Sequence, residues 1–217
     1  MKRFASAIGV LLFASLACQV LPSGNDGDDP ETKVLFEDDF SGTLSNWGSG
    51  EDAEATLAIE EGAFRMFISA PENLFWSTPG EDFTDVSVEV DAQKTAGPDA
   101  AEYGVICRYS EDASGNYNFY YLVIAGDTYA AILKVINGQQ IDISARDVQF
   151  DSIRGGNASN HITAECVGER LSLSANGAEL FTETDDSLSS GDVGLIATTY
   201  DEGGIDVQFD NFVVTEP

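Results

Sequence analysis

The chain has 217 residues, 43% hydrophobic and 22% charged, the composition of a globular protein with room for one large domain or two small ones. Acidic residues outnumber basic ones 38 to 10, for a formal charge of -28. That balance offers no positive field to a phosphate backbone or an anionic lipid surface, so it excludes nucleic acid as a partner and reads first as solubility in an external medium.

Residues 1–17, MKRFASAIGVLLFASLA, place Lys2 and Arg3 before an apolar run from Phe4 to Leu16 and a small residue before Cys18. This is the layout of a secretory signal peptide. The run is shorter than the roughly 20 residues of a membrane-spanning helix. The ending SLAC resembles a bacterial lipoprotein signal, which implies lipidation of Cys18 and a membrane anchor at the cell surface. Cleavage after Ala17 by an ordinary signal peptidase is the alternative, and it leaves a freely secreted product. Residues 18–33 carry Pro, Gly, Ser and Asp without an apolar period, so they read as the acylated cysteine and a flexible tether.

From Val34 to Pro217 the texture changes to short alternating segments separated by Gly, Asn, Asp and Ser, the spacing of an all-β antiparallel two-sheet sandwich. In DVSVEVDAQ, Val86, Val88, Val90 and Ala92 point one way and Ser87, Glu89, Asp91 and Gln93 the other. In YGVICRYS, Val105, Cys107 and Tyr109 share a face by the same count. HITAECVG puts Ile162, Ala164 and Cys166 inward. Cys107 and Cys166 thus fall on core faces, which allows either a disulfide in an oxidising compartment or two buried thiols. LSLSANGAELF is a hairpin through Asn176-Gly177. Near the end, IDVQFDNFVV changes parity between Phe209 and Phe212, which predicts a bulge around Asp210-Asn211.

The segment YNFYYLVIAGDTYAAILKV, Tyr117 to Val135, is apolar on both faces. A two-residue turn at Gly126-Asp127 pairs Ile124 with Tyr129, Leu122 with Ala131 and Tyr120 with Leu133, and this greasier face is assigned to the core. The other face then holds Tyr117, Phe119 and Tyr121 with Ile132 and Lys134, and Arg108 projects beside them. Aromatic rings stack on the C–H faces of sugars, and cations donate to their hydroxyls, so the set suits a saccharide groove. Covering loops, with Arg108 paired to an acid, are the alternative. Trp76 is either a stacking residue or, the favoured expectation, a core plug.

In order, LFEDDFSGTLSNW, DFTDVSVEVDAQ, GVICRY, YNFYYLVI, HITAECVGERLSLSANG, GDVGLIA and VQFDNFVV resemble the concanavalin A-like jelly-roll domains of bacterial surface proteins. These include laminin-G-like modules and the domain of unknown function 1080 group, some of which cleave 3-keto-glycosides. The resemblance covers nearly all of residues 34–217. It implies two curved sheets, a concave face that binds sugars, and a candidate calcium site where FEDDF meets FDNF, with Asp39 and Asp210 as the matching candidates; acids that cap strand ends and bond backbone amides are the alternative.

No complete catalytic motif is present. Glucanases of this fold carry E-x-D-x-E or E-x-D-x-x-E, and here Glu89 and Asp91 are followed by Gln93 and Lys94, so no catalytic residue is assigned. His161, the single histidine, reads as a surface residue. The expected function is an exported, lipid-anchored, non-catalytic module that binds a polysaccharide or glycan. A 3-keto-glycoside hydrolase and a structural adhesive domain are the alternatives.

Overall fold

The computed structural model describes residues 32–42 and 46–217. The signal peptide, Cys18 and the tether as far as Glu31 lie outside the described residues. The chain from Thr32 to Pro217 is one compact unit. Its strands are β1 (Val34–Asp38), β2 (Gly50–Glu51), β3 (Ala55–Glu60), β4 (Ala63–Ile68), β5 (Leu74–Ser77), β6 (Val86–Ala96), β7 (Glu102–Glu111) and β8 (Tyr117–Ala125). They continue with β9 (Ala130–Ile136), β10 (Gln139–Asp142), β11 (Ser159–Val167), β12 (Arg170–Ala175), β13 (Ala178–Thr184), β14 (Asp192–Thr198) and β15 (Ile205–Thr215).

The larger sheet runs β13-β12-β11-β6-β15-β4-β3-β2, with β1 also paired to β15, and the smaller runs β10-β9-β8-β7-β14-β5. All pairings are antiparallel. First and last strands are neighbours: Asp38 lies opposite Phe212. Alternation decides which side chains enter the core. Val86, Val88, Val90 and Ala92 of β6 are buried while Glu89 is exposed. They pack with Phe64, Met66, Tyr103, Val105, Leu122, Leu173, Leu195 and Phe209 between the two sheets. Cys107 of β7 and Cys166 of β11 form a disulfide across that core.

The type I′ hairpin is present, with Asn176 and Gly177 both at positive φ (53° and 81°). So is the bulge in β15. The pairing with β6 slips between Asp210 and Val213, Asn211 has φ 52°, and both Phe209 and Phe212 stay buried.

The hairpin of β8 and β9 corrects the expected register. Ile124 pairs with Ala130, Leu122 with Ile132 and Tyr120 with Lys134. The connection is longer than two residues. Thr128 N–H donates to the Ala125 carbonyl and Ala125 N–H to the Tyr129 carbonyl, with Thr128 left-handed at φ 71°. Gly126 is demanded by packing rather than by a mirror-image turn: a Cβ there would meet Asp99 Oδ1 at 2.9 Å and the Gly156 carbonyl at 3.3 Å. One extra loop residue turns every β9 side chain to the opposite face. Ile132 therefore enters the core, and Ala131, Leu133 and Val135 take the outer face.

Candidate functional site on the outer face of the small sheet

The outer face of the small sheet carries its own apolar cluster. Ile106, Phe119, Tyr121, Val123, Ala131, Leu133, Val135 and Ile196 are buried in it, with Leu74, Trp76 and Tyr109 partly buried against them. Five rings run through it. Trp76 lies 4.7 Å from Tyr117, 5.3 Å from Phe119 and 6.0 Å from Tyr109, centroid to centroid. Tyr109 stacks on Tyr117 at 6.4 Å, and Phe119 leads on to Tyr121 at 5.9 Å. Tyr117 is 38% exposed, so the cluster opens to solvent at the Trp76, Tyr109 and Tyr117 end.

Three of the predicted ligand residues, Tyr117, Phe119 and Tyr121, are thus brought together, and two are not. Arg108 sits at a β-bulge: β7 slips against both β8 and β14 there, and Arg108 is left-handed at φ 57°. The extra residue turns Arg108 away from the outer face and Tyr109 onto it, reversing the expected sides. The Arg108 side chain is buried, donating to the Leu188 carbonyl at 2.6 Å and the Thr84 carbonyl at 3.3 Å. Lys134 follows the corrected register of β9 to the inner side, where Nζ donates to Asp185 at 2.5 Å and Ser187 at 2.8 Å. Trp76, expected in the core, stands on the outer face because it pairs with Ile196 of β14.

A polar group closes the opposite end of β8. Glu102, opposite Ala125, is nearly buried. Its Oε1 accepts Arg146 Nη2 at 2.6 Å and its Oε2 accepts the Tyr200 hydroxyl at 2.6 Å. Arg146 Nη2 also donates to the Tyr200 oxygen at 2.8 Å. Burial raises the proton affinity of Glu102, and Arg146 and the Tyr200 hydroxyl oppose it. Burial, then the Glu102 charge, holds the Tyr121 and Tyr200 phenols well above their usual range. The Tyr121 phenol therefore lies within the field of Glu102, Tyr200 and Arg146. Sequence alternation missed Glu102, Arg146 and Tyr200 because the three come from β7, the segment after β10 and the segment after β14. No local pattern joins them.

Asp39 and Asp210 are occupied locally. Asp39 Oδ1 accepts the amide and hydroxyl of Ser41 at 3.0 and 2.7 Å, which hold its carboxyl below the usual range. Asp210 Oδ1 accepts the Asn211 amide at 2.7 Å. Asp39 lines a cavity of about 450 Å³ with Glu37, Asp38 and Asn211, and Asp210 is not among its walls. Among the described residues no group of three or more His, Cys, Asp or Glu is placed to hold a metal. On the large sheet, Glu89 and Asp91 face outward and meet His161 at 3.5 and 2.8 Å, a polar cluster at the surface.

No protein-family model matches the sequence, and no curated protein does. Solved structures do match in three dimensions. Carbohydrate-binding module CBM66 from Bacillus subtilis is similar with a TM-score of 0.62 and 16% identity, over 80% of this chain and 98% of that one. A protein of unknown function with a galectin-like fold, also from Bacillus subtilis, gives 0.64 and 12%, over 85% and 96%. A GlcNAcα1-4Gal-releasing endo-β-galactosidase from Clostridium perfringens gives 0.64 and 12%, over 89% and 65%. The fold is the concanavalin A-like jelly roll. At these identities the likeness establishes the jelly roll alone, and function has to be argued from the site.

Proposed function

We propose that this jelly roll is an exported, lipid-anchored, non-catalytic carbohydrate-binding domain whose glycan docks where the outer face of the small sheet opens to solvent, at Trp76, Tyr109 and Tyr117. The observation that carries the reading is the row of rings opening to solvent at Trp76, Tyr109 and Tyr117. Flat apolar rings beside hydrogen-bonding groups suit a ligand with C–H faces and many hydroxyls. A carbohydrate-binding module and an endo-β-galactosidase among the structural neighbours support it. The test is a glycan array of residues 32–217 followed by calorimetry, with Trp76→Ala and Tyr117→Ala expected to weaken binding roughly tenfold or more. A blank array from folded protein overturns the reading and favours a protein partner for the aromatic patch. Lipidation is tested by acyl-chain labelling in cells, which Cys18→Ala should abolish.

One observation favours a hydrolase as the second reading: burial raises the proton affinity of Glu102, as a general acid requires. Both its oxygens are already bonded, however, and Arg146 favours the charged form. Turnover of 3-keto-disaccharides that disappears in Glu102→Gln would establish the enzyme.

A further inference from the structure

We infer that Glu102, Arg146 and Tyr200 form a polar subsite that takes one ring of an uncharged saccharide through two adjacent hydroxyls. The inference rests on the carbohydrate reading above and adds to it a place and a chemical class.

The starting point is an unmatched donor. Arg146 Nη1 is buried and has no hydrogen-bond partner, the one such side-chain atom among the described residues. Buried polar atoms are almost always paired, so an exception asks what is meant to meet it. The rest of the guanidinium is spoken for: Nη2 serves Glu102 and Tyr200, and Nε faces Asp142 at 3.8 Å. Both bonds leave from Nη2, so Nη1 is the nitrogen still without a partner.

Beside the donor are free acceptors. Each Glu102 oxygen accepts one bond in the Arg146 and Tyr200 pairings, whereas a carboxylate offers about four lone-pair sites. A hydroxyl is both donor and acceptor. Two on neighbouring carbons therefore satisfy Nη1 and the spare lone pairs together.

The space and the charge narrow the class. Glu102, Asp127, Tyr129, Arg146 and Tyr200 line a cavity of about 290 Å³, at the small end of the range for ligand sites. That is room for about one sugar ring. Glu102, Asp127 and Asp142 surround a single cation, so a uronic or sialic acid would meet net negative charge.

The experiment measures binding of uncharged gluco-, xylo-, manno- and galacto-oligosaccharides, the same sugars O-methylated on their ring hydroxyls, and galacturonic and mannuronic oligosaccharides. The proteins are the wild type, Arg146→Met, Arg146→Lys, Glu102→Gln and Trp76→Ala, each checked for folding by urea midpoint. The inference expects uncharged probes to bind and uronic ones to fail. It expects Arg146→Met and Glu102→Gln to lower affinity roughly ten- to a hundredfold. Arg146→Lys, which keeps the charge without Nη1, should bind as weakly as Arg146→Met. O-methylation should weaken wild-type binding far more than that of Arg146→Met. Uncharged probes that bind all Arg146 and Glu102 variants as they bind wild type, while Trp76→Ala loses them, would overturn the subsite and leave the platform standing. Preference for uronic probes overturns the chemical class. No binding to folded wild type overturns both.

Discussion

Arg108 lies over Tyr120, its guanidinium carbon 6.0 Å from the ring centroid, on the side of the small sheet that faces the core. With Lys134 it holds the segment after β13: Arg108 bonds the Leu188 carbonyl, Lys134 the Asp185 carboxylate, and the Tyr120 hydroxyl accepts the Leu188 amide at 3.0 Å. These cations work inside the sandwich edge, away from the aromatic platform.

Arg108→Ala should therefore cost stability and spare binding. It strands the Leu188 and Thr84 carbonyls and removes a buried charge from its partners, a loss of roughly 2–4 kcal/mol by urea denaturation. Glycan affinity of the folded fraction should equal that of wild type. A normally stable Arg108→Ala protein that no longer binds would return Arg108 to the ligand site.

The Cys107–Cys166 disulfide links the two sheets and closes a loop spanning 59 positions. Loop-closure entropy for that length predicts a loss of roughly 4 kcal/mol on reduction. The urea midpoint should drop when reductant is added. The Cys107→Ser, Cys166→Ser double variant should show the lower midpoint with or without reductant.

What the sequence made legible follows from backbone chemistry. Alternation in β6 and β11 gave the correct inward residues because one face of each is solvated. Asn176-Gly177 and the parity change at Asp210-Asn211 announced a turn and a bulge through residues that accept positive φ. The errors came where positive φ falls on Arg108 and Thr128, residue types that carry no such signal. Each shifts parity by one, and together they exchanged Arg108 for Tyr109 and Lys134 for Leu133 on the outer face. In the sequence Lys94 stands out only as the residue where a third acid would be; the structure shows it in line with Ala92 and fully buried, its Nζ bonded to Gly97 O, Asp99 and Asn157.

A calcium titration decides between the resemblance and the local hydrogen bonds at Asp39 and Asp210. A rise of several degrees in Tm with calcium, lost in Asp39→Asn and Asp210→Asn, would establish a structural ion. Equal Tm in calcium and chelator leaves both carboxylates as turn caps, the outcome that their bonds to Ser41 and Asn211 favour.

Asp185 should set the acid limit of the fold. Burial alone would raise its pKa, but Lys134, Ser187 and the Tyr120 hydroxyl, which donates to Oδ1 at 2.6 Å, hold it well below the usual carboxylate range. An unfolded Asp titrates near pH 3.9. Because the folded pKa is the lower one, the unfolded chain binds the proton first. The stabilisation is complete above about pH 5 and drains away as the pH falls through about 4 and below. Glu102 has the opposite sign: its raised folded pKa costs stability as the pH climbs past the ordinary glutamate value. Urea midpoints from pH 3 to 7 should then fall less steeply at the acid end in Asp185→Asn than in wild type. The neutral-pH stability of that variant should be lower by roughly 1–2 kcal/mol once screening by water is allowed for. An unchanged acid slope would mean that the Lys134, Tyr120 and Asp185 cluster forms no stronger in the folded protein than in the unfolded chain. The segment between β13 and β14 would then rest on its other bonds, among them those of Leu188 to Arg108 and Tyr120.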